Sequence, residues 1–329
     1  MATRPTLDAV AERAGVSTAT VSRVLNDSAP VSAAVRTAVE AAIAELGYAP
    51  NPAARSLARR RTDTIAVVIS EPEDRLFVDP FFSAVVHGIA EELAETELQL
   101  VLLPARGERQ QRKVERYVLG GHVDGTIMLS LHADDVLPHA LAAAGAPVVL
   151  SGRPRTGAGA VSFVDTDNRS GARLATEHLL ARCSTVATIA GPRDMPVSAD
   201  RIAGYRDALG DRPELVAYGD FGVESGARAC RELLEREPEL DGVFAASDAM
   251  ALGALEALAA AGRRVPHDVA VVGFDDLPLA AAATPPLTTV CQPFDEMTRE
   301  LVRLVQARIA GSPPEHVVLR PRLVRRASA

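Results

Sequence analysis

The sequence has no unbroken apolar run near the roughly 20 residues that a membrane helix needs, which excludes a spanning helix. Its first residues, MATRPTLDAVAERAG, lack the basic-then-apolar order of a secretory signal, so a soluble cytoplasmic protein is expected. Cysteine is nearly absent. Cys183, Cys230 and Cys291 are odd in number and lack metal-ligand spacing, which argues against a disulfide framework or a zinc site. They are expected to be buried small hydrophobes in a reducing compartment. Lysine is reduced to Lys113, and aromatic residues make up 4%. No nucleophile elbow, HExxH or GxxxxGK[ST] is present, so enzyme chemistry has no motif to rest on. The seven histidines are scattered; His132 and His139 flank Asp134-Asp135 at a spacing too wide for a good metal site. No metal and no cofactor are expected.

What is present is a chain of 329 residues, long enough for two or three compact units, with 47% hydrophobic residues to build their cores. The net charge of −8 argues against a protein that coats nucleic acid. Its distribution is uneven: residues 1–61 carry eight arginines against five acids, a basic module on an acidic body.

The basic module opens with Thr6–Leu25, TLDAVAERAGVSTATVSRVL. Thr6 can cap a helix over 7–14, Gly15 supplies the positive φ of a sharp turn, and Ser17 can cap a second helix over 18–25. Val10, Val16, Val21 and Val24 face inward, with Leu7 and Leu25 at the ends. Thr18, Ala19, Ser22 and Arg23 share the outer face, where small polar side chains and one arginine suit a DNA major groove. An ordinary helical hairpin is the alternative. Ser32 can cap a third helix over 33–46, ended by Gly47. Asn51-Pro52 opens a short segment that alone would be a basic linker, since about seven residues hold no helix in water.

From Thr64 onward, β-branched runs alternate with Ala-rich helical stretches. The runs 64–69, 98–103, 125–130, 147–151, 185–190, 242–246 and 269–274 are continuously apolar, as in parallel strands buried on both faces. Helices are expected near 81–95, 109–119, 171–181, 201–210, 225–235 and 249–261. This is repeated βαβ, a doubly wound α/β body, with a divide near 152–160. In such sheets ligands bind beyond the carboxyl ends of the strands. There stand Asp79, Phe81, Phe82, Asn168, Arg201, Phe221, Ser247, Asp248, Asp275 and Gln292. Acceptors, donors, a guanidinium and aromatic faces together suit a polyhydroxylated small ligand. Singly, Asn168 and Ser247 could be helix caps, Phe81 and Phe82 core, and Arg201 a surface ion-pair partner.

The wording AGVSTATVSRVLN, at the extreme N-terminus, closely resembles the DNA-binding headpiece of the LacI/GalR family of bacterial transcription regulators, and the resemblance runs through the chain. It implies a three-helix helix-turn-helix headpiece over 1–50 and a hinge helix and linker over 51–61. It also implies a two-lobed body over 62–329, similar to the type I periplasmic-binding-protein fold. One lobe would be 62–161 with 291–320, the other 162–290 with 321–329, crossing near 160–163, 288–292 and 319–323. NPAARSL looks like the hinge helix, with Asn51, Ala54 and Arg55 at DNA and Leu57 as a minor-groove wedge. On the headpiece, Arg23 would read a guanine, Thr18 and Ala19 would tune readout, and Ser17, Ser22 and Thr6 would hold phosphates. DPFF, VDTDN, DRIAGY, GDF, ASDAMALGA, VGFDD and TTVCQPF resemble the family's effector-contact segments. They imply effector roles for Asp79, Phe82, Asn168, Arg201, Phe221, Ser247, Asp275 and Gln292. Asp79 and Ser247 stand where relatives commonly have Asn, LARCSTVAT replaces a usual Gly-His turn, and EPEDRLF lengthens the first loop.

The expected function is a homodimeric, ligand-responsive repressor of sugar-utilisation genes. It would release near-palindromic operator DNA when a small sugar binds between the lobes. A co-repressor answering to a nucleobase or phosphometabolite is the alternative. A transport-type sugar-binding protein would carry a signal peptide and no headpiece, and a nucleotide-using α/β enzyme shares only the fold.

Overall fold

The computed structural model describes residues 5–26, 30–48 and 61–329. Asn51, Ala54, Arg55 and Leu57 lie outside the described residues. The chain divides into two units, Met1–Thr62 and Asp63–Ala329.

The first unit holds α1 (Leu7–Ala14), α2 (Thr18–Asn26) and α3 (Ala33–Leu46). Thr6 Oγ1 accepts from the Ala9 amide at 3.3 Å, and Gly15 closes α1 at φ 67°. Ser17 Oγ accepts from the Thr20 amide at 3.2 Å, capping α2. Ser32, also expected as a cap, makes no side-chain cap bond. Val10, Val21, Val24 and Val39 are buried together. So small a core makes a marginal unit.

The second unit runs β1 (Thr64–Ile69), α4 (Glu73–Val78), α5 (Pro80–Leu93), β2 (Gln99–Pro104), α6 (Gly107–Leu119), β3 (Gly125–Leu129), α7 (Leu137–Ala143), β4 (Val148–Ser151) and β5 (Ser162–Thr166). It continues through α8 (Asn168–Leu180), β6 (Val186–Ala190), α9 (Pro196–Leu209), β7 (Val216–Tyr218), α10 (Val223–Arg236), β8 (Gly242–Ala245), α11 (Asp248–Ala260) and β9 (Ala270–Asp275). It ends with α12 (Pro278–Ala282), β10 (Thr288–Cys291), α13 (Phe294–Ile309), β11 (His316–Leu319) and β12 (Arg322–Val324).

Two sheets result, ordered β11-β5-β4-β3-β1-β2 and β12-β10-β9-β8-β6-β7. Every pairing is parallel except β10 with β12. Helices cover both faces of each, which is why the strands are continuously apolar. In the first lobe, Phe82, Ile89, Leu301 and Val305 from α5 and α13 fill one face; Val114, Val118, Leu137 and Leu141 from α6 and α7 fill the other. In the second, α10 and α11 pack on one face and α8 and α9 on the other.

The first crossing between lobes comes later than the expected 160–163. Strand β5, at 162–166, pairs with β4 and β11 in the first sheet, so the chain leaves that lobe at Asp167. The next crossings are at Gln292-Pro293 and Arg320-Pro321, between elements of opposite sheets. Strands β11 and β12 have no sequence signature, being short edges of three or four residues. The lengthened first loop contains the six-residue helix α4, pinned by Leu76 in the core. Cys183 and Cys230 are buried, and burial pushes the Cys230 thiol up to about 12. Cys291, expected buried, is only half-buried at the β10 end.

Candidate functional site

The carboxyl ends of the strands of both sheets open onto one cavity of about 920 Å³, part of it open to solvent. Of the expected residues, Asp79, Phe81, Phe82, Asn168, Arg201, Phe221, Ser247, Asp275 and Gln292 all line it. Asp248 does not. Its side chain is wholly buried beneath the cavity, where its carboxylate accepts from the Leu277 amide at 2.9 Å and Thr289 Oγ1 at 2.5 Å. It ties α11 to β10 and to the chain after β9. A strand-end position does not say on which side of the turn the side chain falls.

Arg201 is the centre of the polar wall. Its Nε donates to Asn168 Oδ1 at 2.9 Å, and an Nη donates to the Ala246 carbonyl. Its guanidinium carbon lies 3.6 Å from the Phe274 ring centroid, and Nη2 lies 3.9 Å from Asp275 Oδ1. Asn168 is not the α8 cap; Asp167 is, accepting from the Ser170 amide at 3.0 Å. The Asn168 amide instead donates to Asp165 Oδ1 at 3.1 Å and to the Thr166 carbonyl at 2.8 Å, which fixes its oxygen toward Arg201. On the other side, Gln292 Nε2 donates to Asp275 Oδ1 at 2.6 Å while its oxygen accepts from Thr166 Oγ1 at 2.9 Å. Thr166 and Gln292 flank two of the crossings, so lobe geometry and ligand wall share one network.

Ser247 is a cap, accepting from the Met250 amide at 3.1 Å and donating to the Phe221 carbonyl at 3.2 Å. Its donor is spent on the fold, so it contributes space where an Asn would reach out. Asp79 caps α5, accepting from the Phe81 amide at 3.0 Å. Phe82 is 2% exposed and belongs as much to the core as to the cavity wall, with Phe81 edge-on to it at 5.4 Å. Phe221 and Asp275 hold φ at 71° and 119°, and Ser130, also in the wall, at 60°. Such conformations cost energy and cluster where a site requires them.

Four charged wall residues escaped the sequence argument: Arg75, Arg153, Asp165 and Asp200. Arg75 rides on α4, too short to show a period. Asp165 sits on the strand assigned to the wrong lobe. Arg153 Nη2 donates to Asp200 at 2.8 Å, joining the lobes at the rim. Altogether three arginines alternate with four aspartates in the wall. Burial raises the carboxyls of Asp79 and Asp275, and that of Asp165 to about 6, against the pull of Arg153.

Beside the cavity, His132 bridges the lobes. Its Nδ1 lies 2.7 Å from Asp194 Oδ2, and its Nε2 lies 3.2 Å from Glu71 Oε1. Arg75 and Ser130 also donate to Glu71, Asp135 accepts from the His132 amide, and Arg106 lies 3.5 Å from the ring. The bond to Glu71, helped by Asp194, pushes His132 up to about 9 against the opposing effect of burial. A raised histidine contributes stability in full below its ordinary value of 6.5, and that stability is lost as pH climbs through about 9. The melting temperature of the full chain should therefore fall across that window. His132→Gln should lower it by a few degrees at pH 6 and flatten the fall. Parallel melting curves for the two proteins would remove the bridge from the stability of the fold. No group of described residues gathers metal ligands; His132 is held by carboxylates instead, and His139 is not part of that cluster.

On the first unit, Ser17, Thr18, Ala19 and Arg23 are exposed along one side of α2 and Ser22 is half-buried. Arg23 forms no ion pair with any described residue. Thr6 and Ser17 accept cap bonds through their hydroxyl oxygens, which leaves the Thr6 proton for a phosphate, while Ser17 Oγ shares a further hydrogen bond with Thr20 Oγ1 at 2.9 Å.

Comparison with known proteins agrees with both units. The model of the bacterial regulatory proteins of the lacI family matches residues 6–51, and that of the periplasmic binding protein-like domain matches 176–329. The transcriptional regulator CelR of Thermobifida fusca is 50% identical over 96% of this chain and 95% of its own. The ribose operon repressor of Halalkalibacterium halodurans is 35% identical over 94% and 91%. Among solved structures, a CelR–cellobiose complex superposes with TM-score 0.78 at 48% identity, covering 99% of this chain and 100% of that one. The lac repressor dimer bound to operator and the anti-inducer ONPF superposes with TM-score 0.87 at 29% identity, covering 99% of each. With a helix-turn-helix headpiece and a two-sheet binding body matched along almost its whole length, the chain belongs to the LacI family of bacterial regulatory proteins.

Proposed function

We propose that this protein is a cytoplasmic, homodimeric repressor that lets go of its operator when a neutral sugar of more than one ring binds between its lobes. The carrying observation is the charge of the wall. Three arginines are offset by four aspartates, so the cavity has no cationic excess to hold a phosphate or nucleotide. Alternating guanidinium, amide and carboxylate groups match vicinal hydroxyls, and Phe81, Phe82 and Phe221 add apolar surface to the wall. The wall is built from both lobes, with Asp79 and Phe82 on one and Arg201 and Phe221 on the other, as a site enclosed by closure requires. The solved complex of CelR with cellobiose supports a β-linked glucose disaccharide as the first compound to try. A regulator fits an α2 that presents Arg23 to solvent.

In the dimer, two α2 helices would read half-sites of a near-palindromic operator. Hinge residues Asn51, Ala54, Arg55 and Leu57 would contact the minor groove, Leu57 wedging a base step. Closure of the lobes on ligand would shift the subunits and release the hinges. The direct test selects operator DNA with the full-length protein and measures affinity with and without cellobiose. A loss of about 5- to 150-fold is the size of ordinary allosteric coupling. Tighter binding would make the ligand a co-repressor, and indifference to a panel of sugars would end the sugar assignment. In the same assay Arg23→Ala should cost operator affinity about 5- to 150-fold, the discrimination of one bidentate base contact, and leave random DNA nearly unaffected. Equal losses on both would reduce Arg23 to a phosphate contact.

A further inference from the structure

Outside the cavity, the loop after β3 meets the loop after β6 across the gap between the lobes. His132 Nδ1 lies 2.7 Å from Asp194 Oδ2, and the Ala133 amide donates to the Asp194 carbonyl at 2.8 Å. Each end is held within its own lobe. On the first, the His132 amide donates to Asp135 Oδ2 at 2.9 Å, and Gln111 Nε2 of α6 donates to Asp135 Oδ1, also at 2.9 Å. His132 Nε2 lies 3.2 Å from Glu71, which also accepts from Ser130 Oγ at 2.5 Å and from Arg75 at 2.8 Å. On the second, Asp194 stands between two anchored neighbours. The Arg193 guanidinium carbon lies 3.4 Å from the Tyr218 ring centroid, and Met195 is buried in the core. Arg106, 3.5 Å from Nε2, opposes a charge on the ring, and the two carboxylates outweigh it, since His132 is pushed up to about 9.

We propose that His132 and Asp194 form a latch between the lobes that needs no ligand contact and that sets how tightly the cavity holds its effector. Neither residue lines the cavity, and nor does Glu71. Ordering two free side chains usually cancels most of the gain from an ion pair. Here His132 and the loop carrying Asp194 are already ordered by their own lobes, so their bond bears on the lobe arrangement. Phe82 and Phe221 stand on opposite lobes, so the whole wall exists only when the lobes are together. Apparent affinity scales with the fraction of molecules in that arrangement. The latch follows from the bonds alone; its link to effector affinity rests on the between-lobe reading of the cavity.

Site-resolved hydrogen exchange of the full-length protein, without ligand, reads the lobe contact through the Ala133 amide. Asp194→Ala should speed exchange there about 3- to 30-fold, the loss of a charge-assisted bond lessened by the half-exposure of Asp194. The amides of Ala105 and Ala246, each bonded inside one lobe, should exchange as before. In a His132→Ala background the same substitution should add less than about twofold. Calorimetric titration should then show cellobiose bound about 3- to 10-fold more weakly by Asp194→Ala. Exchange at Ala133 that stays the same, that rises equally at Ala105 and Ala246, or that rises as much in the His132→Ala background would overturn the latch. An unchanged cellobiose affinity beside faster exchange at Ala133 would overturn its part in the effector response. A wild type that does not bind cellobiose would refute that choice of sugar and not the latch, which the exchange rates decide.

Discussion

Asp275→Asn should weaken effector binding about 10- to 100-fold while leaving the melting temperature unchanged or higher. The two responses differ in sign because the carboxylate is costly to the empty protein and useful only to the complex. Asp275 is 5% exposed, and burial outweighs Arg201 and Gln292 in raising its carboxyl. A raised acid is destabilising wherever it is ionised, so stability falls as pH rises from its ordinary 3.8 through the folded value. Asparagine keeps an oxygen for Gln292 Nε2 and removes the buried charge. It loses the second acceptor oxygen and the charge that strengthen bonds to a vicinal diol. Arg201 stays held by Asn168 and Ala246. Calorimetric affinity together with thermal melting at pH 7 reads both. A variant that melts much lower would mean the carboxylate is part of the scaffold; one that binds sugar as the wild type does would put the diol elsewhere.

Gly253→Ala should be among the most destabilising single-methyl changes in this chain. A Cβ at Gly253 would stand 1.9 Å from the Val223 carbonyl oxygen and 2.6 Å from the Ala227 nitrogen. One at Gly226 would stand 2.2 Å from the Met250 carbonyl oxygen. Helices α10 and α11 therefore touch backbone to backbone, and no side chain is there to turn aside. Overpacking of this kind costs on the order of 3 kcal/mol, more than the roughly 1 kcal/mol of helix propensity that alanine adds. For a body of this size that is about 10 °C in melting temperature. Phe221 precedes α10 and Ser247 caps α11, so forcing the pair apart also moves two residues of the wall. Melting of the full chain checks the first effect and sugar titration the second. A loss under about 1 kcal/mol would mean that the two helices separate easily.

Much of this architecture was legible in the chain. Continuous apolar runs of 64–69, 125–129 and 270–275 can only be buried on both faces, so parallel sheets and alternating helices follow. The headpiece was legible to the residue over 7–14 and 33–46 because caps and positive-φ glycines are local signals. Nine of ten expected effector residues reached the cavity, since the strand-end rule depends only on strand direction. The rule failed where orientation mattered, turning Asp248 under the cavity and spending the Ser247 hydroxyl on a cap. It was silent for Arg75 and Arg153, which depend on a six-residue helix and a loop.

Local order, from the turn at Gly15 to the alternation of strand and helix, arises from interactions over three or four residues, and these can be worked out from neighbouring letters. The contacts that make a site join distant ones: Thr166 with Gln292, Arg201 with Ala246, His132 with Asp194. Their partners are chosen by which strands pair and where the chain crosses between lobes. The placement of β5 in the first sheet shows the difference. Its apolar letters suit either lobe, and only its pairing with β4 and β11 sets Asp165 and Asn168 on opposite sides of a crossing.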